Sequence, residues 1–210
     1  PDNPHVPLEH YLTHFPKHPQ CKICQTCKIQ RTQTRRHPEG STNHDAWVEP
    51  EKWAELMTFD WKIIATDRSV QNRSADGDTT AMISLDYATK WVDGNPSPNR
   101  KTETTESIIA SVCGPGCKPK LVYSDNGSEI IAALRNLGYA HDTCTPHVKQ
   151  TNGLVENMIR QVTEGTACAL AQSGYCEDRW NLAIKLFCFL QNVTNVLPCG
   201  CTPYQLRFGE

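Results

Sequence analysis

The chain has no apolar run approaching the roughly 18 residues that a membrane-spanning helix needs, so no membrane helix is expected. It shows no charged-then-apolar leader of the kind that directs secretion. It opens on proline, which reads as a fragment or a piece of a processed polyprotein. A basic excess is also missing: the formal net charge is -2, whereas chains that bind nucleic acid are often strongly basic. No internal repeat or low-complexity tract is visible. Large apolar residues are scarce in one region, residues 1–40, which is rich in His, Cys, Pro and Lys. Such a segment does not fold on burial alone and wants a metal.

What is present fits a globular protein. With 210 residues, 38% of them hydrophobic, the chain is long enough for one good core and a small module. Eleven cysteines would suit a disulfide scaffold, but a chain of this length with this many core residues does not need one. Cys168 and Cys188 sit inside apolar helical patterns and read as small buried hydrophobes. A reducing, intracellular setting is expected. Charge is uneven: Lys17, Lys22, Lys28, Arg31, Arg35 and Arg36 face only Asp2, Glu9 and Glu39 in the first 40 residues, a local excess of three (6 minus 3).

Periodicity divides the chain into residues 1–40, a linker at 41–58 containing Trp47, Pro50 and Trp53, and a mixed α/β unit at 59–210. Strands are predicted at Trp61 to Asp67, Thr80 to Asp86 and Lys90 to Asp93, with a hairpin loop over Gln71 to Asp78 and a loop over Pro96 to Asn99. A helix over Thr104 to Val112 stops at Gly114-Pro115-Gly116. A fourth strand spans Leu121 to Ser124. Ser128 then caps a helix with Ile130, Ile131, Leu134 and Leu137 on one face, and Gly138 ends it. Tyr139 to Thr143 is a fifth strand. A loop from Thr145 to Gly153 leads into a helix that buries Val155, Met158, Ile159 and Val162. The last helix runs from Trp180 to Val196.

Two of these elements deliver carboxylates. Asp125 ends a buried strand before an Asn-Gly turn, and Glu156 lies in the first turn of a helix behind Gln150-Thr151-Asn152-Gly153. Carboxylates presented by separate rigid elements suit hard divalent cations. Taken singly, Asp125 is also an ordinary turn former and Glu156 an ordinary helix-start glutamate. Asp67 follows an apolar strand and is the preferred third member. Asp60, in Phe59-Asp60-Trp61, is the alternative. Asp86 reads as structural, fixing the turn before Lys90.

Near the amino terminus, His10 and His14 are four apart and share one helical face. Cys21-Lys22-Ile23-Cys24 places two thiolates within reach of one ion. Two nitrogens and two sulfurs make a closed, structural zinc site. His5, His18 and Cys27 lie close enough to replace a member of the set. Without a metal, the same residues are histidines and free thiols on a flexible arm.

The strings Ile64-Ala65-Thr66-Asp67, Leu85-Asp86-Tyr87-Ala88-Thr89-Lys90-Trp91-Val92, Ser124-Asp125-Asn126-Gly127 and Gln150-Thr151-Asn152-Gly153-Leu154-Val155-Glu156-Asn157 together resemble the catalytic core of retroviral and retrotransposon integrases. So does the ending Thr202-Pro203-Tyr204-Gln205-Leu206-Arg207-Phe208-Gly209, which is similar to that of copia- or gypsy-type cores. The resemblance covers roughly residues 60–208. It implies a ribonuclease H-like fold, a mixed five-stranded sheet flanked by helices, preceded by a His-His-Cys-Cys zinc-binding module. It also implies a triad of Asp67, Asp125 and Glu156 holding two Mg²⁺ or Mn²⁺ ions, with Asp67 bridging both. The implied activity is DNA 3′-end processing by hydrolysis and strand transfer to a target DNA. A homo-oligomer and a nuclear location are further implications. Two spacings depart from the retroviral pattern. Thirty residues lie between Asp125 and Glu156 and six between His14 and Cys21, both fewer than usual.

Candidate DNA contacts are Lys149, Gln150, Thr151 and Asn152 beside Glu156, with Arg31, Arg35 and Arg36 in the basic segment. Arg160, one turn beyond Glu156, is either a phosphate contact and brace for Glu156 or half of a surface pair. The rival readings are a ribonuclease H-type nuclease on the same scaffold and a catalytically inactive nucleic-acid-binding remnant.

Overall fold

A computed structural model describes residues 5–28, 49–64, 72–143 and 149–209. Its elements are α1 (His10–Thr13), α2 (Lys22–Cys27), β1 (Leu56–Ile63), β2 (Thr80–Asp86), β3 (Val92–Ser97), α3 (Thr102–Cys113), β4 (Leu121–Ser124), α4 (Ser128–Leu137), β5 (His141–Thr143), α5 (Lys149–Ser173), α6 (Trp180–Thr194) and α7 (Pro203–Phe208). The five strands form one sheet in the order β3-β2-β1-β4-β5. β1 pairs antiparallel with β2 and parallel with β4, and β4 pairs parallel with β5. This is the mixed five-stranded, ribonuclease H-like arrangement the sequence predicts.

Strand alternation sorts side chains onto the two faces of the sheet. Met57 and Phe59 of β1, Met82 of β2 and Val122 of β4 pack with Ile109 and Val112 of α3 and Ile130 and Leu134 of α4. The opposite face sets Ala81, Ile83 and Val92 against Val162 of α5 and Ile184, Phe187 and Cys188 of α6. Each fully buried Phe, Met or Ile contributes about 1.5–3 kcal/mol. Where α5 crosses α6, Gly165 makes the close approach possible: a Cβ there would lie 2.1 Å from the Phe187 ring.

Several boundaries move relative to expectation. The first strand is Leu56–Ile63, not Trp61 to Asp67, and it begins inside the stretch read as linker. The buried apolar residues are Leu56, Met57 and Phe59, while Ile63 is 48% exposed. β3 runs from Val92 to Ser97 and takes in Pro96, which the sequence reading puts in a loop. Proline is tolerated because β3 is an edge strand, where its missing N–H costs no ladder bond. α5 begins at Lys149, so residues 149–153 form its first turns rather than a loop. Gly127, not Ser128, occupies the cap position of α4.

Asp86 is fully buried and accepts from Ala54 N (2.9 Å), Thr89 N (2.8 Å) and Thr89 Oγ1 (2.7 Å), joining the β2–β3 turn to the approach to β1. At the other end of the chain, Thr202 and Gln205 close a capping box that starts α7. Arg207 then lies 3.7 Å over the Trp53 ring and donates to Val112 O, fastening α7 to the core. The ten described cysteines are free thiols, with Cys168 and Cys188 buried as expected. Among the described residues, no helix is long and apolar enough to cross a membrane.

Candidate metal centres

The last paired residues of β1 and β4 are Phe59 and Ser124. One residue further along each strand stand Asp60 and Asp125. In both strands these fall on the alternation that carries Leu56 and Tyr123, which pack beside Val155 of α5. Asp60, Asp125 and Glu156, with Thr58, Tyr123 and Val155 among the other lining residues, enclose a cavity of about 210 Å³. Asp67, preferred from sequence as the first carboxylate, lies outside the described residues. Its rival Asp60 is the aspartate that the strand carries to this cavity. Strict alternation in Met57-Thr58-Phe59-Asp60-Trp61-Lys62 is the sequence signal that favours it.

Burial pushes the Asp60 carboxyl up to about 6, and the neighbouring Asp125 adds to the shift. The Trp61 backbone N–H and the Lys62 ammonium offset only part of the cost of ionising it, and a divalent cation between the two carboxylates would offset more of it. Asp125 also keeps its turn-forming role: Oδ1 accepts from Gly127 N at 3.1 Å. A Cβ on Gly127 would stand 3.1 Å from that same oxygen, so glycine leaves the carboxylate room.

The second centre is fully buried. His10, His14, Cys21 and Cys24 present one ligand atom each, all within 4.8 Å of one another. Cys24 Sγ lies 3.3 Å from His10 Nε2, and His14 Nδ1 lies 3.5 Å from Cys21 Sγ and 3.8 Å from Cys24 Sγ. Zinc bonds of usual length in a tetrahedron put nitrogen and sulfur about 3.6 Å apart, so the spacing fits. Burial, reinforced by His14, His18 and Lys28, pushes His10 down to about 4, and burial also lowers His14. Both imidazoles are therefore neutral near pH 7, with a lone pair free to ligate. Burial raises the Cys24 thiol, so an ion is what makes its thiolate favourable. Among the described residues, this is the group whose ligand atoms already converge on one point. The carboxylates of Asp60, Asp125 and Glu156 line a shared cavity instead.

The surplus ligands fall elsewhere. Cys27 Sγ–H donates to Ala167 O of α5 at 3.7 Å, the His18 ring packs on His10 at 5.4 Å, and His5 is exposed outside the group. Two residues without a place in the sequence reading of this centre stand beside it. Lys28, 4% exposed, donates to the His14 carbonyl and sits 3.0 Å over the Phe15 ring. Gln172 Oε1 lies 2.6 Å from His14 Nε2. Neither has a local sequence signature, because each is brought in by packing.

Arg160 is engaged along its own helix, pairing with Glu164 at 3.3 Å and donating to Asn157. Lys149, Gln150, Thr151 and Asn152 belong to the opening turns of α5. Arg31, Arg35 and Arg36 lie outside the described residues.

This fold is that of retroviral integrase catalytic cores. The catalytic core of BIV integrase superposes with a TM-score of 0.54 at 20% identity, covering 74% of this chain and 95% of that one. A chain of the simian T-cell lymphotropic virus intasome, solved in complex with PP2A regulatory subunit B56 gamma, gives 0.51 at 18% identity, covering 74% and 55%. In sequence, 94 residues are 31% identical to the retrovirus-related Pol polyprotein from transposon RE2 of Arabidopsis thaliana. That match takes in 42% of this chain and 6% of the much longer polyprotein. No protein-family model matches the chain.

Proposed function

We propose that this chain is the zinc module and catalytic core of a retrotransposon-type integrase, a divalent-metal-dependent polynucleotidyl transferase acting on DNA. The observation that carries the reading is the meeting of Asp60, Asp125 and Glu156 at one cavity on a sheet of integrase topology. Asp60, rather than Asp67, takes the place of the first carboxylate, and Asp125 and Glu156 complete the set that would hold Mg²⁺ or Mn²⁺. When bound, such ions activate the attacking oxygen and stabilise the leaving one. In end processing, water attacks a phosphodiester near the DNA end and a 3′-hydroxyl leaves. In strand transfer, that 3′-hydroxyl attacks a target phosphodiester and displaces the target's own 3′-hydroxyl, with no covalent enzyme intermediate.

His10, His14, Cys21 and Cys24 hold Zn²⁺ in a structural role, since four protein ligands leave no open position. Lys149 to Asn152, at the start of the helix bearing Glu156, meet the attacked DNA end, and Arg31, Arg35 and Arg36 bind phosphate. The DNA partners are element ends and target DNA, and the compartment is nuclear. Exposed Leu182, Leu186 and Phe189, spaced along one side of α6, support self-association.

The deciding experiment is a DNA-joining assay on Asp60→Asn and Asp67→Asn side by side. Loss of joining in Asp60→Asn alone is the expected result. Loss in Asp67→Asn alone returns the first ligand to Asp67. Cleavage of RNA–DNA hybrids without any joining points to a ribonuclease H-type nuclease, and no metal-dependent activity in the parent chain points to a binding remnant.

A further inference from the structure

His14 closes α1 with its ring almost wholly buried, 1% exposed. Its two nitrogens face different parts of the chain. Nδ1 looks into the His/Cys group, towards Cys21 and Cys24. Nε2 lies 2.6 Å from Oε1 of Gln172, in the last turn of α5. An imidazole that ligates through one nitrogen carries its proton on the other. An acceptor for that proton fixes both the tautomer and the plane of the ring. Gln172 offers a carbonyl oxygen at that position, and it comes from the helix that carries Glu156.

We propose that Gln172 is a positioning residue of the His/Cys metal centre, so that metal binding fastens residues 5–28 onto α5 of the same chain. This rests on the zinc reading given above. The ring of His14 is then gripped on both sides, by the ion through Nδ1 and by α5 through Nε2. The surrounding packing gives docking without that grip: Phe15 packs on Phe187 at 5.9 Å, and the Cys27 thiol reaches Ala167 O over a long distance. Gln172 is otherwise exposed, so its substitution leaves the core packing alone. At 1.5 Å rise per residue it stands about 24 Å along α5 from Glu156. Module occupancy therefore bears on the distal half of that helix and not on the carboxylates directly.

The test uses the full chain and two measurements: zinc affinity by competition with a chromogenic chelator, and amide hydrogen exchange over residues 164–173 with and without zinc. Gln172→Leu should bind zinc about 10- to 100-fold more weakly and lose the zinc-dependent protection of α5. Gln172→Glu keeps an acceptor oxygen and should bind at least as tightly as the parent. Equal affinities in the parent and Gln172→Leu, or α5 exchange in the parent that ignores zinc, would overturn the proposal. A parent chain that binds less than one zinc, or a Cys24→Ser variant that keeps it, removes the four-ligand site itself and the proposal with it.

Discussion

Asp60, within β1, and Asp125, just past the end of β4, each stand one residue beyond the Phe59–Ser124 pair of these parallel neighbours, and the strand alternation turns both towards α5. Two carboxylates so placed repel each other, and that repulsion disappears when a cation binds between them. A divalent cation held there would relieve that electrostatic cost and gain affinity from it.

A pH-dependent stability follows. The folded Asp60 carboxyl titrates at about 6 against an ordinary 3.8, so its contribution is fully present below about 3.8 and is lost as the pH rises through 6. In magnesium-free, zinc-loaded buffer, Asp60→Asn should be more stable than the parent at pH 7.5. The gain should be about 1–2 kcal/mol, discounted for the partial exposure of the group. Near pH 4 the difference should vanish. Adding Mg²⁺ at pH 7.5 should stabilise the parent and leave the variant unmoved. Denaturant titrations at the two pH values check this, and a variant less stable than the parent at pH 7.5 without Mg²⁺ would contradict it.

Removal of zinc should act on the module first. Residues 5–28 bury only Val6, Cys21 and Cys24 as a small apolar cluster, too little to hold a fold without metal. A chelator, or alanine at Cys21 or Cys24, should abolish the helical signal of this segment while the sheet stays folded. Cys27→Ala should leave zinc content at one per chain, because that thiol faces Ala167. Metal analysis of the purified variants decides the point, and zinc missing from Cys27→Ala would mean that the ligand set is wrong.

How much of this is legible in the sequence differs by element. β2 and β4 fall where expected because each is a short β-prone run with clear punctuation. β1 is displaced because Ile63, Ile64 and Ala65 form the most apolar-looking triplet, yet Ile63 is half exposed and the burial lies at Leu56, Met57 and Phe59. Apolar content locates a strand, while the two-residue period decides which residues of it face the carboxylate cavity. Pro96 cuts the expected β3 short, since edge position is a property of the sheet and not of the local sequence. The spacing of His10, His14, Cys21 and Cys24 points to the group that the fold gathers, while spacing alone leaves His5, His18 and Cys27 open as members. Gln172, 158 residues from His14 in the chain, is not readable in this way, because only the docking of α1 and α2 against α5 brings the two together.

The crossing of α5 and α6 should be intolerant of volume. A methyl at position 165 meets the Phe187 ring at 2.1 Å, well inside van der Waals distance. Gly165→Ala gains about 1 kcal/mol of helix propensity but must push a buried aromatic aside, at about 1–3 kcal/mol. The net expectation is a lower Tm. Pairing it with Phe187→Leu, which clears the space, should recover part of the loss. Calorimetry on the single and double variants checks the coupling, and additive effects would show that the two residues do not meet.

Glu156→Gln should separate chemistry from binding. The substitution keeps the size of the side chain and removes the charge that would hold one ion, so metal-dependent joining of DNA ends should fall by more than about 10²-fold. DNA affinity should change little, because nonspecific binding rests on lysines and arginines that neutralise phosphates. Charge reversal at Arg35 and Arg36 should do the opposite. Affinity should drop, and the slope of log affinity against log salt should flatten by about 0.9 for each phosphate no longer neutralised. Binding isotherms across a salt series, run beside the joining assay on the same preparations, read both effects. Full joining activity in Glu156→Gln would reduce this glutamate to an ordinary exposed residue of α5 and leave the integrase reading to the fold alone.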